Sequence, residues 1–211
     1  MKLRADLHIH SEYSHDSYSK IDKILKVAKE KKLDVIAITD HEEFDGANLA
    51  EKLAENVLVI KGQEINTEFG DIIGLFLKKK VDSKKFAKVI KEIKKQKGVV
   101  VLPHPAKFHI LIKEVVDNVD LIEVFNSRLG KEENKMGRIL ADKLKKPFIA
   151  GSDAHFIFEI GNGVTIIESK SRELKDIKDS LIKNKINLDC KSSSKIRKLF
   201  IKLTKMLGRR K

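Results

Sequence analysis

The most constraining feature of this 211-residue chain is a set of short β-branched runs that are apolar at every position, above all Val35-Ile36-Ala37-Ile38 and Val99-Val100-Val101-Leu102. A strand with one wet face alternates polar and apolar residues, so a continuous run calls for burial on both faces, as in a parallel sheet covered by helices. The strand candidates are Ala5–His8, Asp34–Thr39, Val57–Lys61, Asp71–Leu77, Val99–Leu102, Leu121–Phe125, Phe148–Ala150 and Val164–Ile167. Between or after most of them lie stretches with apolar residues three and four apart: Ile21–Lys31, Gly46–Glu55, Ser83–Lys97, Lys131–Lys145 and Arg172–Lys183. Such alternation builds an α/β fold, either an open doubly wound sheet or a closed barrel. The Asp71–Leu77 run leaves no room for a helix before it, so one antiparallel hairpin is expected to distort any barrel.

The length suits one sizeable core, residues 1–184, with a short appendage, residues 185–211. No apolar stretch approaches the roughly 20 residues of a membrane-spanning helix, and the N-terminus lacks a signal-peptide core, so a cytoplasmic protein is expected. A single cysteine, Cys190, excludes an internal disulfide and a cysteine-built zinc site, leaving His, Asp and Glu to hold any metal. The net charge of +13 is uneven: residues 185–211 carry ten Lys or Arg against Asp189, which is +9, leaving +4 for residues 1–184. Within this tail, Ile196, Leu199, Phe200, Leu203 and Leu207 share one face of an expected helix over Lys195–Leu207. The first expectation is a terminal helix docked on the barrel with its basic face in water; the alternatives are that this face contacts nucleic acid, an anionic membrane surface or a protein partner.

Five of the seven histidines fall at or just beyond the C-terminal ends of strand candidates: His8, His10, His41, His104 and His155. Glu64, Asp40 and Asp153 stand in the same places. In parallel α/β folds this edge is where functional groups converge. His8 and His10, two residues apart in an extended strand, project to one face, with Leu7 and Ile9 turned the other way. Asp153-Ala154-His155 repeats the spacing, and Gly151-Ser152 before it allows a tight turn. Singly, each histidine reads as a hydrogen-bonded loop residue and each aspartate as a helix cap. Their coincidence at one edge points to a multinuclear site, and mixed imidazole and carboxylate donors suit zinc, manganese or iron.

These residues resemble the motifs of the PHP (polymerase and histidinol phosphatase) family. Asp6-Leu7-His8-Ile9-His10-Ser11 through Tyr13-Ser14-His15-Asp16-Ser17 resembles its first motif, Ile38-Thr39-Asp40-His41 its second, and Gly62-Gln63-Glu64 its metal-bridging glutamate. Leu102-Pro103-His104-Pro105 and Gly151-Ser152-Asp153-Ala154-His155 resemble the other two, in order over roughly residues 3 to 184. The resemblance implies a distorted, seven-stranded (β/α) barrel with two or three divalent ions at its C-terminal face. His8, His10, Glu64 and Asp153 would hold one ion, Glu64 would bridge to a second on His104, and Asp16, His41 and His155 would hold a third. Asp16 is preferred to His15 by its place after the first motif, and Asp6 and Asp40 are expected to orient ligating imidazoles. Some members supply another histidine from the region of Asp71–Leu77; none is present here, which leaves open a weaker second site, one completed by Asp71 or water, or one that stays empty without substrate.

Carboxylate-bridged divalent ions suit hydrolysis of phosphate esters. The expected activity is metal-dependent hydrolysis of a phosphomonoester, either a small phosphorylated metabolite or a nucleotide, with Glu64, Asp153, His155 and Arg128 as the catalytic set. Arg128, after a strand end, is the candidate for gripping phosphate; Asn126 and His109 are weaker ones. The alternatives are a 5'-3' exonuclease or other nuclease on short RNA or DNA, and a non-catalytic, metal-stabilised binding module.

Overall fold

The computed structural model describes residues 1–107 and 110–192. Nine strands, β1 (Lys2–Ile9), β2 (Val35–Ile38), β3 (Leu58–Thr67), β4 (Gly70–Leu75), β5 (Val99–Leu102), β6 (Leu121–Asn126), β7 (Phe148–Gly151), β8 (Gly163–Glu168) and β9 (Ile186–Cys190), form one sheet among the described residues. Its order is β7-β6-β5-β4-β3-β2-β1-β8-β9. The helices are α1 (Ile21–Glu30), α2 (Asp45–Leu53), α3 (Phe86–Lys95), α4 (Lys113–Asn118), α5 (Lys131–Leu144) and α6 (Leu174–Ile182).

The sheet curls until the segment after β7 meets the end of β1. His10 N–H donates to the Ala154 carbonyl at 2.9 Å, and the Ser152 hydroxyl donates to the His8 carbonyl at 3.2 Å. The result is a nearly closed, distorted barrel of β1 to β7. β1, β2 and β3 run parallel, as do β5, β6 and β7, while β4 is antiparallel to both neighbours, the hairpin expected from sequence. Two further strands extend the sheet. β8 pairs antiparallel with the first half of β1, and β9 pairs antiparallel with β8. Residues 186–190, assigned to the tail on charge alone, therefore continue the sheet; the expected helix over 195–207 lies outside the described residues, as does His109.

Burial divides each strand between two apolar clusters. Leu3, Ala5, Leu7, Val35, Ala37, Ile60, Ile73, Val99, Val101, Leu121 and Ile149 fill the barrel interior, and Ile177 and Leu181 of α6 join them. Ile36, Ile38, Ile65, Val100, Leu102, Ile122 and Val124 face outward against α1, α2, α3 and α5, which bury Ile24, Ala28, Ala47, Ala50, Val89, Ile93 and Ala141 there. Each Leu, Ile or Val side chain among them contributes about 1.5–3 kcal/mol when fully buried. Toward the C-terminal end the interior positions change character: β3 reads Ile60, Gly62, Glu64 and β6 reads Leu121, Glu123. Leu7 and Ile9 were expected on one face, but Leu7 belongs to the inner cluster and Ile9 to the outer one. The cause is an irregularity in β1, where Asp6 and Ile9 oppose Ile36 and Ile38 of β2, so that the strand carries an extra residue.

Candidate metal centre

The interior positions at the C-terminal mouth carry the histidines and carboxylates. His8, His10, Glu64, His104, Asp153 and His155 are all buried, and His41 and Asp16 are partly so. His8 Nε2 lies 3.1 Å from His10 Nε2 and 3.2 Å from Glu64 Oε2. Asp153 Oδ1 stands 3.6 Å from the first nitrogen and 3.4 Å from the second. The two oxygens of Glu64 face different neighbours: Oε2 is 3.1 Å from His10 Nε2 and 3.4 Å from His41 Nδ1, while Oε1 is 3.0 Å from His104 Nε2. Asp16 Oδ2 is 2.8 Å from His155 Nε2 and 3.8 Å from His41 Nε2.

Three overlapping sets of donor atoms could each hold a divalent ion: His8 with His10 and Asp153, His8 with Glu64 and His104, and His10 with Asp16, His41 and His155. The structure thus brings together all eight residues named from sequence as candidate ligands. His15 is exposed, its ring 5.2 Å from that of His41 and tilted 40° to it. Asp71 lines the cleft and accepts from Asn66 Nδ2 at 2.7 Å.

The surrounding hydrogen bonds orient the rings. His8 donates Nδ1–H to Glu123 Oε1 at 2.9 Å, since a carboxylate only accepts, and this turns Nε2 inward. His10 Nδ1 meets the Ser14 hydroxyl at 3.0 Å, which itself donates to Asp40 Oδ1 at 3.2 Å. His155 Nδ1 faces the Asp153 carbonyl at 2.9 Å. Asp40 thus acts on His10 through Ser14. Asp6 instead accepts from Ser152 N–H at 2.9 Å and Gly161 N–H at 2.7 Å, tying β1 to the segments after β7, and has no imidazole partner among the described residues. His104 and Asp153, with φ of 29° and 52°, hold left-handed backbone conformations where the strands end, a local strain typical of functional sites.

Glu123 is the functional residue that sequence reasoning missed. Buried in β6, it accepts from His8 through Oε1, and through Oε2 from His104 N–H at 2.8 Å and Asn126 Nδ2 at 3.0 Å. An extra residue between Glu123 and Phe125 lets Glu123 and Asn126, three apart, both turn inward. A lone acid inside the apolar run Leu121-Ile122-Glu123-Val124 was the available signal, because a buried carboxylate requires partners.

Electrostatics fit a cation. Burial would push His10 down, but Asp153 and Glu64 outweigh it and raise it to about 9. His8 is raised well above its ordinary value by Glu123, Glu64 and Asp153 against the same burial penalty. Burial works equally against ionised Glu64 and Asp153, yet His8 and His10 hold both well below the usual carboxylate range. Protons on the imidazoles thus balance the carboxylates where a divalent ion would do so. Asp16 Oδ1 is buried without a hydrogen-bond partner among the described residues, a free lone pair at the same place.

The cluster floors a cleft of about 360 Å³ whose rim includes Asp71, Lys107, Arg128, Leu129 and Glu133. Arg128 lies beside His155 Nδ1, 3.8 Å from Asp153 Oδ1, with Nε 3.8 Å from buried Glu159. A larger depression of about 490 Å³, around Asn56, Leu58 and Arg172, contains none of these donor sets. No helix among the described residues is long and apolar enough to cross a membrane.

A family model described as the PHP domain matches residues 6–144, and one described as PHP-associated matches residues 131–186. An uncharacterised protein of Methanocaldococcus jannaschii is 30% identical, over 86% of each chain. A Vibrio campbellii protein named "Probable phosphatase" is 27% identical over 82% of this chain and 85% of its own. A two-domain Bacteroides vulgatus protein, described as containing a predicted PHP-like metal-dependent phosphoesterase, has the same fold with TM-score 0.79 at 22% identity, over 90% of this chain and 65% of that one. The lesion-specific endonuclease of Pyrococcus furiosus reaches TM-score 0.68 at 15% identity, over 89% of this chain and 58% of that one. The PHP match opens at Asp6, two residues before the first histidine of the cluster, and continues through α5; the chain belongs to the PHP family.

Proposed function

We propose that this protein is a metal-dependent phosphoesterase that hydrolyses a phosphomonoester, either a small phosphorylated metabolite or a nucleotide. The observation that carries the reading is the placement of Glu64, whose two oxygens address separate donor sets at the floor of one cleft. In this reading His8, His10, Glu64 and Asp153 hold one ion, Glu64 and His104 a second, and Asp16, His41 and His155 a third. Bound divalent ions would supply Lewis acidity, activating water and neutralising phosphoryl oxygens.

The chain's own groups do the positioning. Arg128 presents a planar fork of donors that suits two non-bridging phosphoryl oxygens, and Lys107 adds positive charge at the rim. Glu123 and the Ser14–Asp40 pair hold the imidazoles in one orientation, so that no rearrangement is needed as charge develops. The cleft, about 360 Å³, lies at the small end of ligand sites and suits one metabolite or mononucleotide better than a long polymer. The relative named "Probable phosphatase" supports the same class.

The test is turnover by protein of known metal content. Assays with p-nitrophenyl phosphate, mononucleotides and end-labelled oligonucleotides are run with manganese, zinc and iron. Monoester hydrolysis that vanishes with His8→Ala or His10→Ala, together with a fall in bound metal, is the expected result. Cleavage of oligonucleotides without monoester turnover would replace the reading with a nuclease, and no turnover by metal-loaded protein would replace it with a binding module.

A further inference from the structure

The helix α3 carries charge unlike any other part of the body of this protein. Residues 84–97 contain seven lysines and one acid, Glu92, a net +6. Residues 1–184 total +4, so everything else in that span sums to −2. All seven lysines are exposed, and within the helix Lys88, Lys91 and Lys95, spaced three and four apart, form one row about 10 Å long on the outward side. The helix buries Phe86, Val89, Ile90 and Ile93 on the opposite side.

The row continues past the helix. The backbone N–H groups of Lys78 and Lys79 both donate to the side-chain oxygen of buried Gln96, each at 2.9 Å, which pins two more exposed lysines beside the end of α3. Lys178 of α6 donates to the Lys97 carbonyl, adding another. A lysine-rich surface serving stability alone interleaves acids to form ion pairs. Elsewhere this protein does so, as in Lys26 with Glu30 and Lys61 with Glu51. Among the described residues Lys88, Lys91, Lys94 and Lys95 form no ion pair, and only Lys84 at the near end reaches one, with Glu42 at 2.8 Å.

We infer that this face of α3 binds the phosphate backbone of a nucleic acid. A file of unpaired ammonium groups, held at fixed spacing and like-charged, is stabilised by displacing counterions from a polyanion. A membrane surface fits less well, because helices that lie on bilayers insert an apolar side, and the apolar side of α3 is already packed against the barrel. None of these lysines belongs to the donor sets of the metal cluster, and the inference does not depend on the choice of reaction, so it stands or falls apart from the phosphoesterase reading.

The test is a salt titration on the full chain. Binding of a short fluorescein-labelled phosphorothioate DNA strand is followed by anisotropy for the unaltered protein, for K88E/K91E/K95E, and for K23E/K26E/K29E on α1, which changes net charge equally. The α3 variant is expected to lose affinity about tenfold or more, and its plot of log K against log salt to flatten by about two, the contribution of three phosphate contacts. The α1 variant is expected to keep the original slope. K88Q/K91Q/K95Q repeats the measurement without new acids, and thermal midpoints establish that each variant is folded. Equal losses on α1 and α3 would reduce the effect to net charge and overturn the inference, as would unchanged DNA binding by either α3 variant. Affinity for phosphatidylserine vesicles that falls while DNA binding does not would overturn it in favour of a membrane.

Discussion

Glu123 shows how much of this site rests on a single side chain. One carboxylate fixes the His8 ring, the His104 backbone and Asn126 together, and it is buried. In Glu123→Gln one acceptor oxygen becomes a donor and must face a donor. Bound metal and turnover are expected to fall about 10- to 100-fold with the fold intact, measured as metal-to-protein ratio and kcat/KM; undiminished metal binding would remove Glu123 from the centre. Arg128→Lys keeps the charge and loses the fork, so kcat/KM is expected to fall about 100-fold, nearly as far as in Arg128→Ala, whereas rescue by lysine would reduce the residue to a point charge. The histidines were legible because their chemistry is rare and their spacing follows the strand period. Glu123 was less so, because a glutamate in a strand ordinarily reads as the solvent side; the apolar run around it was the one sign to the contrary, and its partners become visible in three dimensions.

At the scale of elements, the site depends on strands whose regular alternation is broken in the right places. The extra residue in β1 lets Leu7 fill the barrel while His8 and His10 line its mouth, and the one in β6 does the same for Glu123 and Asn126. Neither irregularity is written in residue type, which is why the sequence reading put Leu7 and Ile9 on one side. β9 escaped for a different reason: Ile186, Leu188 and Cys190 alternate with Asn187 and Asp189, a strand pattern hidden by the basic residues around it. The seam where the barrel closes is tight as well. A Cβ on Gly163 would come within 2.0 Å of the Gly151 carbonyl oxygen, which is backbone and cannot swing aside. Gly163→Ala is expected to cost about 3 kcal/mol, read as a drop in the denaturant midpoint, because β8 must part from β7 to admit the methyl group. A midpoint within error of the parent would mean that the seam is looser than its contacts imply.

The whole molecule concentrates its unfavourable electrostatics at one end of the barrel. Asp16, Glu64, Glu123 and Asp153 crowd the mouth, Glu64 held ionised by the imidazoles around it and Asp153 by imidazoles and Arg128, while the other end of the interior is apolar around Leu3, Val35, Val99 and Leu121. An ion bound to the folded state and not to the unfolded chain adds stability by mass action, about 2.7 kcal/mol when it is present at a hundred times its Kd. For a chain of this size each kcal/mol moves Tm by roughly 2–4 °C. Stripping metal with EDTA is therefore expected to lower Tm by about 5–10 °C, and adding back manganese or zinc to restore it. The shift should shrink in Asp16→Asn, which removes a donor charge from one set and leaves the other two. It should be unaltered in Arg128→Ala, which removes no donor. A Tm indifferent to EDTA in protein that had contained metal would show that the ions contribute nothing to the closure of the barrel, and that its apolar end alone holds the fold.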